Sequence, residues 1–328
     1  MINFPKLGLE MSIERTAFTI GGLAIYWYAI IIVTALILAF TYATRRSEQF
    51  GMISDKVFDT ALFGLIGAIL GARFFFVIFS DKRYTFAQVF TQFRDGGLAL
   101  YGGILGAVGA ALIVMKLKKL KYMPVLDLAG LGFLLGISLG RWGNFFNQEA
   151  YGAHTDLPWG MTGSVIGNVP VHPCFLYESL WCLLGFAALH FYSKKLRTFD
   201  GEIFLLFVAW YGLGRSLIEH LRADSLMLGS FKVSQLIASI TAGAAVGAFI
   251  YFKRKAAKTP SMRLYADTAE SKVMLAEYEK ELKLYKEKSD AKKALKQGVA
   301  ESIIADDPND EPETETEAET ETSETDEE

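Results

Sequence analysis

Residues that bind metals or form disulfides are scarce in this sequence. Only two of its 328 residues are cysteines, and only four are histidines. Cys174 and Cys182 fall eight positions apart in one apolar run, so on a single helix they would be about 12 Å apart, too far for a disulfide. Because no set of His, Cys and carboxylate residues has the spacing of metal ligands, we predict no metal site and no cofactor.

Basic residues are absent from the end of the chain. The last 28 residues contain 14 acidic residues and no lysine or arginine, which is the composition of a disordered segment. Residues 1–300 therefore carry 33 basic and 22 acidic residues, a net charge of +11. This excess suits a body that contacts anionic lipid, and we expect membrane lipids as partners and no nucleic acid.

Polar residues before residue 252 are confined to segments between long apolar runs. The chain is 52% hydrophobic, and its apolar residues form runs near 20 residues long, each sufficient to cross a hydrocarbon core about 30 Å thick. We predict an all-α polytopic membrane protein with seven transmembrane helices. The predicted spans are 21–43, 57–79, 96–115, 124–140, 173–193, 201–220 and 232–252.

The segments around these spans complete a prediction of four domains. Residues 1–20 precede the seven-span body at 21–252, whose loop at 141–172 forms a small outward-facing domain. Residues 253–299 join a basic junction to an amphipathic or coiled-coil helix, because apolar residues repeat there at spacings of three and four. Residues 300–328 form the disordered acidic tail.

Clusters of lysine and arginine set the expected orientation. They follow the first, third, fifth and seventh predicted spans, near residues 45, 118, 195 and 254. With seven spans, all four clusters lie on one side, which the positive-inside rule identifies as cytoplasmic. We therefore expect the amino terminus outside, the carboxyl terminus in the cytoplasm and the polar stretch after the fourth span facing outward.

Ionisable residues within or at the edge of the predicted spans are informative, because a charge at bilayer depth is costly and usually functional. Arg73 is deep in the second span, and Glu178 is one turn into the fifth. Arg215, Glu219 and Arg222 are spaced four and three apart in the sixth, which places a carboxylate between two cations on one helical face. Such a face can offer donors to a phosphate. Ion pairs between helices are the alternative interpretation.

The densest polar cluster follows the fourth span and reads Gly-Arg-Trp-Gly-Asn-Phe-Phe-Asn-Gln-Glu-Ala-Tyr-Gly over residues 140–152. The Arg141 guanidinium can donate to two phosphate oxygens, and the amides of Asn144 and Asn147 can meet glycerol hydroxyls. Glu149 can accept a hydroxyl hydrogen. We expect tight turns and close approach to a ligand at the glycines of this stretch, which are Gly140, Gly143 and Gly152.

This stretch resembles the signature of the prolipoprotein diacylglyceryl transferases, bacterial inner-membrane enzymes that lipidate the cysteine of lipoprotein precursors. The signature runs Gly-Arg-x-Gly-Asn-Phe-x-Asn-x-Glu-x-x-Gly, and every fixed position is met. Many members have a histidine before Gly102-Gly103, proposed as the base, where this sequence has Tyr101. The other similar motifs are Trp27-Tyr28, Gly71-Ala-Arg73, Asp95-Gly-Gly97, Gly102-Gly103, His172-Pro173, Leu176-Tyr177-Glu178 and the run from Gly212 through Arg215, Glu219 and Arg222 to Asp224.

The resemblance implies transfer of a diacylglyceryl group from phosphatidylglycerol to the lipobox cysteine of a prolipoprotein signal peptide, in the inner membrane of a bacterium. The product would be a thioether, and glycerol phosphate would leave. The implied catalytic residues are Arg141, Arg215 and Tyr101. The implied contacts to phosphatidylglycerol are Arg141, Asn144, Asn147, Glu149, Gly152, Tyr28 and Arg73, with His172, Glu178, Glu219 and Arg222 in support.

Other functions and mechanisms stay open at this level. A transporter or flippase for an anionic lipid or small anion would also carry charges inside its spans, and a scaffold would act through the final helix and the acidic tail. His154 and His172 fit structural hydrogen bonding better than catalysis. The substrate thiol could be ionised by the field of the arginines, or Tyr101 could accept its proton.

Overall fold

The structure is a computed structural model that describes residues 1–80, 84–85, 88–89, 97–222, 227–228, 231–259 and 262–305. The chain divides into two compact units, Met1–Leu275 and Ala276–Glu328. Asp95 and Asp224, which belong to the motifs above, lie outside the described residues, as does the tail from residue 306 onward.

Long helices form most of the first unit. Each apolar run forms a helix because a helix pairs all its backbone N–H and C=O groups internally, as the water-free core of a bilayer requires. The helices with defined bounds are α1 Trp27–Arg46, α2 Ser54–Ile78, α3 Leu100–Leu117, α4 Tyr122–Asn147, α5 Cys174–Lys195, α6 Glu202–Leu221, α7 Val233–Lys258 and α8 Ala269–Ala305.

Six of these helices, α1 to α5 and α7, are long and apolar enough to cross a membrane, and the chain is a multi-pass membrane protein. The predicted sixth span does form a helix, α6, but this helix carries Arg215, Glu219 and His220 in its last two turns and is not among the six. Seven spans therefore stay a prediction.

The prediction of an all-α fold was wrong in detail, because the mostly helical chain also contains short strands. They are β1 Ile2–Phe4, β2 Leu9–Met11, β3 Thr16–Ile20, β4 Leu23–Tyr26, β5 Met161–Gly163, β6 Gly167–Val171, β7 Met227–Leu228 and β8 Phe231–Lys232. One sheet has the order β2-β1-β5-β6, while β3 pairs with β4 and β7 with β8. The amino-terminal segment and the 141–172 loop thus fold together.

The start of α1 and the end of α4 differ from their predicted positions by six and seven residues. Residues 21–26, predicted as the start of the first span, belong to the β3–β4 hairpin, so α1 begins at Trp27. The fourth span was predicted to end at 140, but α4 continues to Asn147. Its last two turns contain Arg141, which pairs with Glu178 on α5, Asn144, which accepts from Arg141, and Asn147, which donates to Glu149. The loss of apolar character therefore did not end the helix.

Small residues let α2 and α3 approach closely. A Cβ atom added at Gly106 would lie 2.1 Å from the Gly67 carbonyl oxygen, and one added at Gly71 would lie 2.4 Å from the Gly102 carbonyl oxygen. Such separations are too short for real side chains. Glycine therefore brings the two backbones into contact, as is common between membrane helices.

The segment after α7 packs against the helices of the first unit. Tyr265 is buried and its backbone N–H donates to Asp200 Oδ2 at 2.8 Å, while Ser271 Oγ donates to the Gly51 carbonyl at 2.9 Å. The final helix was predicted within 253–299. Instead α7 runs to Lys258 and α8 spans Ala269–Ala305, because the basic junction continues the seventh apolar helix.

Candidate active site

Four charged residues of α4, α5 and α6, with the residue that follows α6, form a continuous chain of alternating sign, which we call the ion chain. Arg141 of α4 forms a salt bridge through Nη2 to Glu178 Oε2 on α5. Glu178 Oε1 accepts from Arg215 Nη1 of α6 at 2.6 Å, and Arg215 Nη2 lies 2.6 Å from Glu219 Oε2. Arg222 Nε lies 3.9 Å from the same Glu219 oxygen. The structure thus joins Arg141 and Glu178 to the predicted set of Arg215, Glu219 and Arg222 on one helical face.

Helix geometry explains the contact between Arg215 and Glu219. Arg215 and Glu219 are one turn apart on α6, so their side chains meet on one face. Glu178 lies in the second turn of α5, where it reaches both Arg141 and Arg215. Glu178 therefore bridges two guanidiniums that have no link within one helix.

Burial makes the ion chain electrostatically strong. The side chains of Glu178 and Glu219 are only 4% and 2% exposed, whereas those of Arg141 and Arg215 retain 22% and 20%. Buried carboxylates must be paired, since leaving one unpaired costs several kcal/mol. The negative groups are thus buried and the positive groups are partly accessible. This arrangement allows the guanidiniums to bind an anionic ligand.

The polar stretch 140–152 is mostly helix rather than loop. Arg141 Nη1 donates to Asn144 Oδ1 at 3.3 Å, three residues along α4. The expectation of tight turns at Gly140 and Gly143 was wrong, since both lie inside α4. Gly143 instead packs on Tyr28: a Cβ there would lie 2.8 Å from the Tyr28 ring.

After α4 the chain turns sharply. Gln148 and Ala150 have φ values of 55° and 57°, a left-handed conformation unusual for residues with side chains. Buried Gln148 holds the turn by accepting from the Val165 N–H at 2.9 Å and donating to Ser164 Oγ at 3.1 Å. This turn carries Glu149, which accepts from Asn147 Nδ2 at 2.7 Å.

Gly152 lies where three segments meet. Its N–H donates to the His172 carbonyl at 2.8 Å. A Cβ at this position would lie 2.7 Å from the Leu221 carbonyl oxygen and 2.8 Å from Cys174 Sγ. Glycine is therefore needed here for close packing of the loop on α5 and α6.

A cavity of about 770 Å³ opens beside the turn. Among the predicted residues it brings together Tyr28, Asn147 and Glu149, and it does not include Arg141 or Arg215. The predicted residues therefore fall into two groups, because Asn147 and Gly143 face α1 whereas Arg141 faces α5. The full lining is Arg15, Tyr26, Tyr28, Ala29, Asn147, Gln148, Glu149, Ala150, Tyr151 and Val165.

Sequence reasoning missed Arg15. This exposed residue precedes β3 and its Nη2 donates to the Asn147 carbonyl at 2.9 Å, so it places a further cation in the cavity lining. Arg15 lies before the first apolar run and outside every motif. Its one signal in the sequence is its charge, which does not reveal that the amino-terminal segment folds over the end of α4.

Other predicted site residues lie elsewhere. Arg73 is 2% exposed and donates to the carbonyls of Val89, Gly97 and Gln88 at 2.9, 3.2 and 3.1 Å, so it ties residues 88–89 and 97 to α2. Tyr101 is 70% exposed in the first turn of α3. The lipid contact of Arg73 and the catalytic role of Tyr101 stay predictions.

The two histidines of the outer loop make structural contacts. His172 Nδ1 lies 3.2 Å from the Tyr177 hydroxyl, which also accepts from Trp159 Nε1 at 2.7 Å. Burial lowers the pKa of His172, so the neutral ring is favoured in the folded protein. His154 pairs with Val171 through an isolated backbone bridge. Both contacts tie the loop together.

Comparison with known proteins gives a consistent result. A family model described as prolipoprotein diacylglyceryl transferase matches residues 15–251. The relative from Clostridioides difficile is 36% identical over 244 residues, covering 74% of this chain and 96% of its own. The relative from Finegoldia magna is 39% identical over 248 residues (75% and 98%), and that from Streptococcus pneumoniae 39% over 253 residues (75% and 96%). All three are named phosphatidylglycerol–prolipoprotein diacylglyceryl transferase.

Proposed function

The chain belongs to the prolipoprotein diacylglyceryl transferase family, and we propose that it transfers the diacylglyceryl group of phosphatidylglycerol to the lipobox cysteine of a prolipoprotein. In this reaction the cysteine sulfur attacks the glyceryl carbon bonded to the phosphate oxygen. A C–S bond forms, the C–O bond breaks, and glycerol phosphate leaves with the bonding electrons. The thiol proton passes to solvent or to a base.

The ion chain is the observation that carries this proposal. Negative charge grows on the leaving phosphate, and preorganised guanidiniums stabilise such charge well where water is scarce. Arg141 and Arg215 are oriented by the buried Glu178 between them and are themselves partly exposed. We assign these two arginines to the phosphate, with Glu219 and Arg222 fixing the orientation of Arg215.

The cavity beside Tyr28 suits the rest of the lipid headgroup. Asn147 and Glu149 present an amide and a carboxylate to its interior, and both can hydrogen-bond glycerol hydroxyls. The cavity lining includes neither Arg141 nor Arg215, so the glycerol of a lipid whose phosphate binds the ion chain would reach Asn147 and Glu149 around the carboxyl-terminal end of α4. Asn144, beside Arg141, would contact the same headgroup.

Transport is a less suitable function for this arrangement. A transport pathway needs a site that opens alternately to each side of the membrane. The charges of the ion chain are instead paired with one another at one end of α4, α5 and α6. The family assignment also favours the transferase.

The site faces the outside of the cell in our proposal. The positive-inside rule assigns the carboxyl-terminal ends of α1, α3, α5 and α7, where the cationic clusters lie, to the cytoplasm. The ion chain lies at the other end of the helices and would therefore face outward. This orientation requires that α6 spans the membrane as a seventh helix. Prolipoprotein signal peptides would then reach the site at the outer surface of the inner membrane.

The proposal is tested by incubating the purified protein with acyl-labelled phosphatidylglycerol and a lipobox peptide. We expect label to appear on the peptide, together with released glycerol phosphate. A peptide with serine in place of the lipobox cysteine is the matched control and should stay unlabelled. Label movement across vesicles without any labelled peptide would instead favour a flippase.

A further inference from the structure

Two tryptophans join α5 to α6 next to the ion chain. Trp181 Nε1 donates to the Trp210 carbonyl, and Trp210 Nε1 donates to the Trp181 carbonyl, both at 2.9 Å. Their rings are stacked, with centroids 4.6 Å apart and planes inclined by 21°. The contact is therefore reciprocal, with each residue supplying one donor and one acceptor to the other helix.

Two glycines make this contact possible. A Cβ at Gly214 would lie 2.1 Å from Trp181 Nε1, and a Cβ at Gly185 would lie 2.3 Å from Trp210 Nε1. Each indole thus lies directly over a glycine of the opposite helix. Because the two rings can occupy these positions together in only one register, the contact fixes both the separation of α5 and α6 and their relative position along the helix axes.

Two residues of the ion chain, Glu178 and Arg215, lie within one helical turn of Trp181 and Gly214, respectively. Glu178 is three residues before Trp181 and shares its side of α5, and Arg215 directly follows Gly214 on α6. The 2.6 Å contact between Glu178 Oε1 and Arg215 Nη1 spans the same pair of helices. Sliding one helix along the other would break this contact, since hydrogen bonds weaken steeply with distance and angle.

We propose that Trp181 and Trp210, with Gly185 and Gly214, are positioning residues that hold Glu178 between Arg141 and Arg215. They act through the register of α5 and α6 and do not contact substrate. This inference rests on the proposed role of Arg141 and Arg215 at the phosphate.

The first test is Gly214→Ala, which places a methyl group against the Trp181 indole. We expect kcat per folded molecule to fall by about tenfold or more, with KM for phosphatidylglycerol changed by less than about threefold. Gly243→Ala on α7 is the matched control, because a Cβ there has no atom within 4 Å. Thermal unfolding and gel filtration establish the folded fraction for each variant, so a loss of folded protein alone would not change kcat.

A second substitution makes the test specific. Trp181→Ala removes the indole atoms that the new methyl group would meet, which are Nε1 at 2.1 Å and Cδ1 at 2.2 Å. Gly214→Ala with Trp181→Ala should therefore recover to within about threefold of Trp181→Ala alone. Trp210→Ala should not rescue Gly214→Ala, because Trp210 lies over Gly185. Equal rescue by both substitutions, or equal activity of Gly214→Ala and Gly243→Ala, would overturn the inference.

Arg215→Lys separates this inference from the proposed function. Full activity of Arg215→Lys with selective rescue by Trp181→Ala would refute the phosphate role and leave the register contact supported. Loss of activity in Arg215→Lys with unselective rescue would refute only the register contact.

Discussion

Replacing Arg215 by lysine keeps the charge and removes the planar fork, which makes it a sharp test of the ion chain. Arg215 uses two nitrogens at once, Nη1 toward Glu178 and Nη2 toward Glu219, each at 2.6 Å. A lysine has one nitrogen and can occupy only one of these positions. One carboxylate, 4% or 2% exposed, would then lose its close ion-pair contact, which for Glu178 is also a hydrogen bond.

The size of the expected effect follows from these contacts. A hydrogen bond to a charged group contributes about 1.5–3 kcal/mol, and losing one preorganised donor at a developing anion costs about 2.7–4 kcal/mol. We therefore expect Arg215→Lys to lower kcat/KM by about 30-fold to 1000-fold, or about 2–4 kcal/mol of transition-state stabilisation.

The assay is diacylglyceryl transfer to a lipobox peptide by protein reconstituted with phosphatidylglycerol. Arg45→Lys is the matched control, since Arg45 is exposed in the last turn of α1, and it should retain wild-type activity. A near-wild-type rate for Arg215→Lys would show that a diffuse positive charge suffices at this position and would refute the argument from the fork.

Further outcomes follow from the same structure. Arg141→Lys should cost about 2–4 kcal/mol of transition-state stabilisation, because it weakens the bridge to Glu178 and the fork toward phosphate; transfer kinetics measure it, and wild-type activity would exclude Arg141 from the phosphate site. Tyr101→Phe should slow transfer by about tenfold to a hundredfold equally at pH 7 and pH 9 if the arginines alone favour the thiolate; strong recovery at high pH would identify Tyr101 as the base. A chain ending at Leu275 should keep its activity, whereas one ending at Thr259 loses buried Tyr265 and Ser271 and should unfold at a temperature about 4–8 °C lower; equal unfolding temperatures would show that this packing contributes little. A cysteine at Ser164 should react with an impermeant thiol reagent from outside, and a cysteine at exposed Glu48 should not. The two native cysteines are buried and should not add to the signal; labelling of both introduced cysteines would refute seven spans.

Apolar runs located the helices because backbone pairing in a bilayer leaves few alternatives to a helix. They misplaced the end of α4, where Arg141 and Asn144 are polar yet helical. A hydropathy value depends only on the residue itself. It contains no information about the ion-pair partner that stabilises a buried charge, which for Arg141 is Glu178 on another helix.

The ion chain was partly predictable for a related reason. The spacing of Arg215 and Glu219 on one helix implies their contact, since neighbours on a helix face are fixed by the helical repeat. The bridge from Glu178 to both arginines depends on how three helices pack. The sheet that joins Ile2 to Gly163 has no local signal either, so the place of Arg15 beside the cavity could not be inferred.

The most direct test of the central claim is an experimental structure of the protein with bound phosphatidylglycerol and a lipobox peptide that has serine in place of cysteine. Our account predicts that the phosphate oxygens lie about 3 Å from guanidinium nitrogens of both Arg141 and Arg215, with the headgroup glycerol directed toward Asn147 and Glu149. A phosphate held beside Arg15 in the 770 Å³ cavity, with neither Arg141 nor Arg215 in contact, would contradict it.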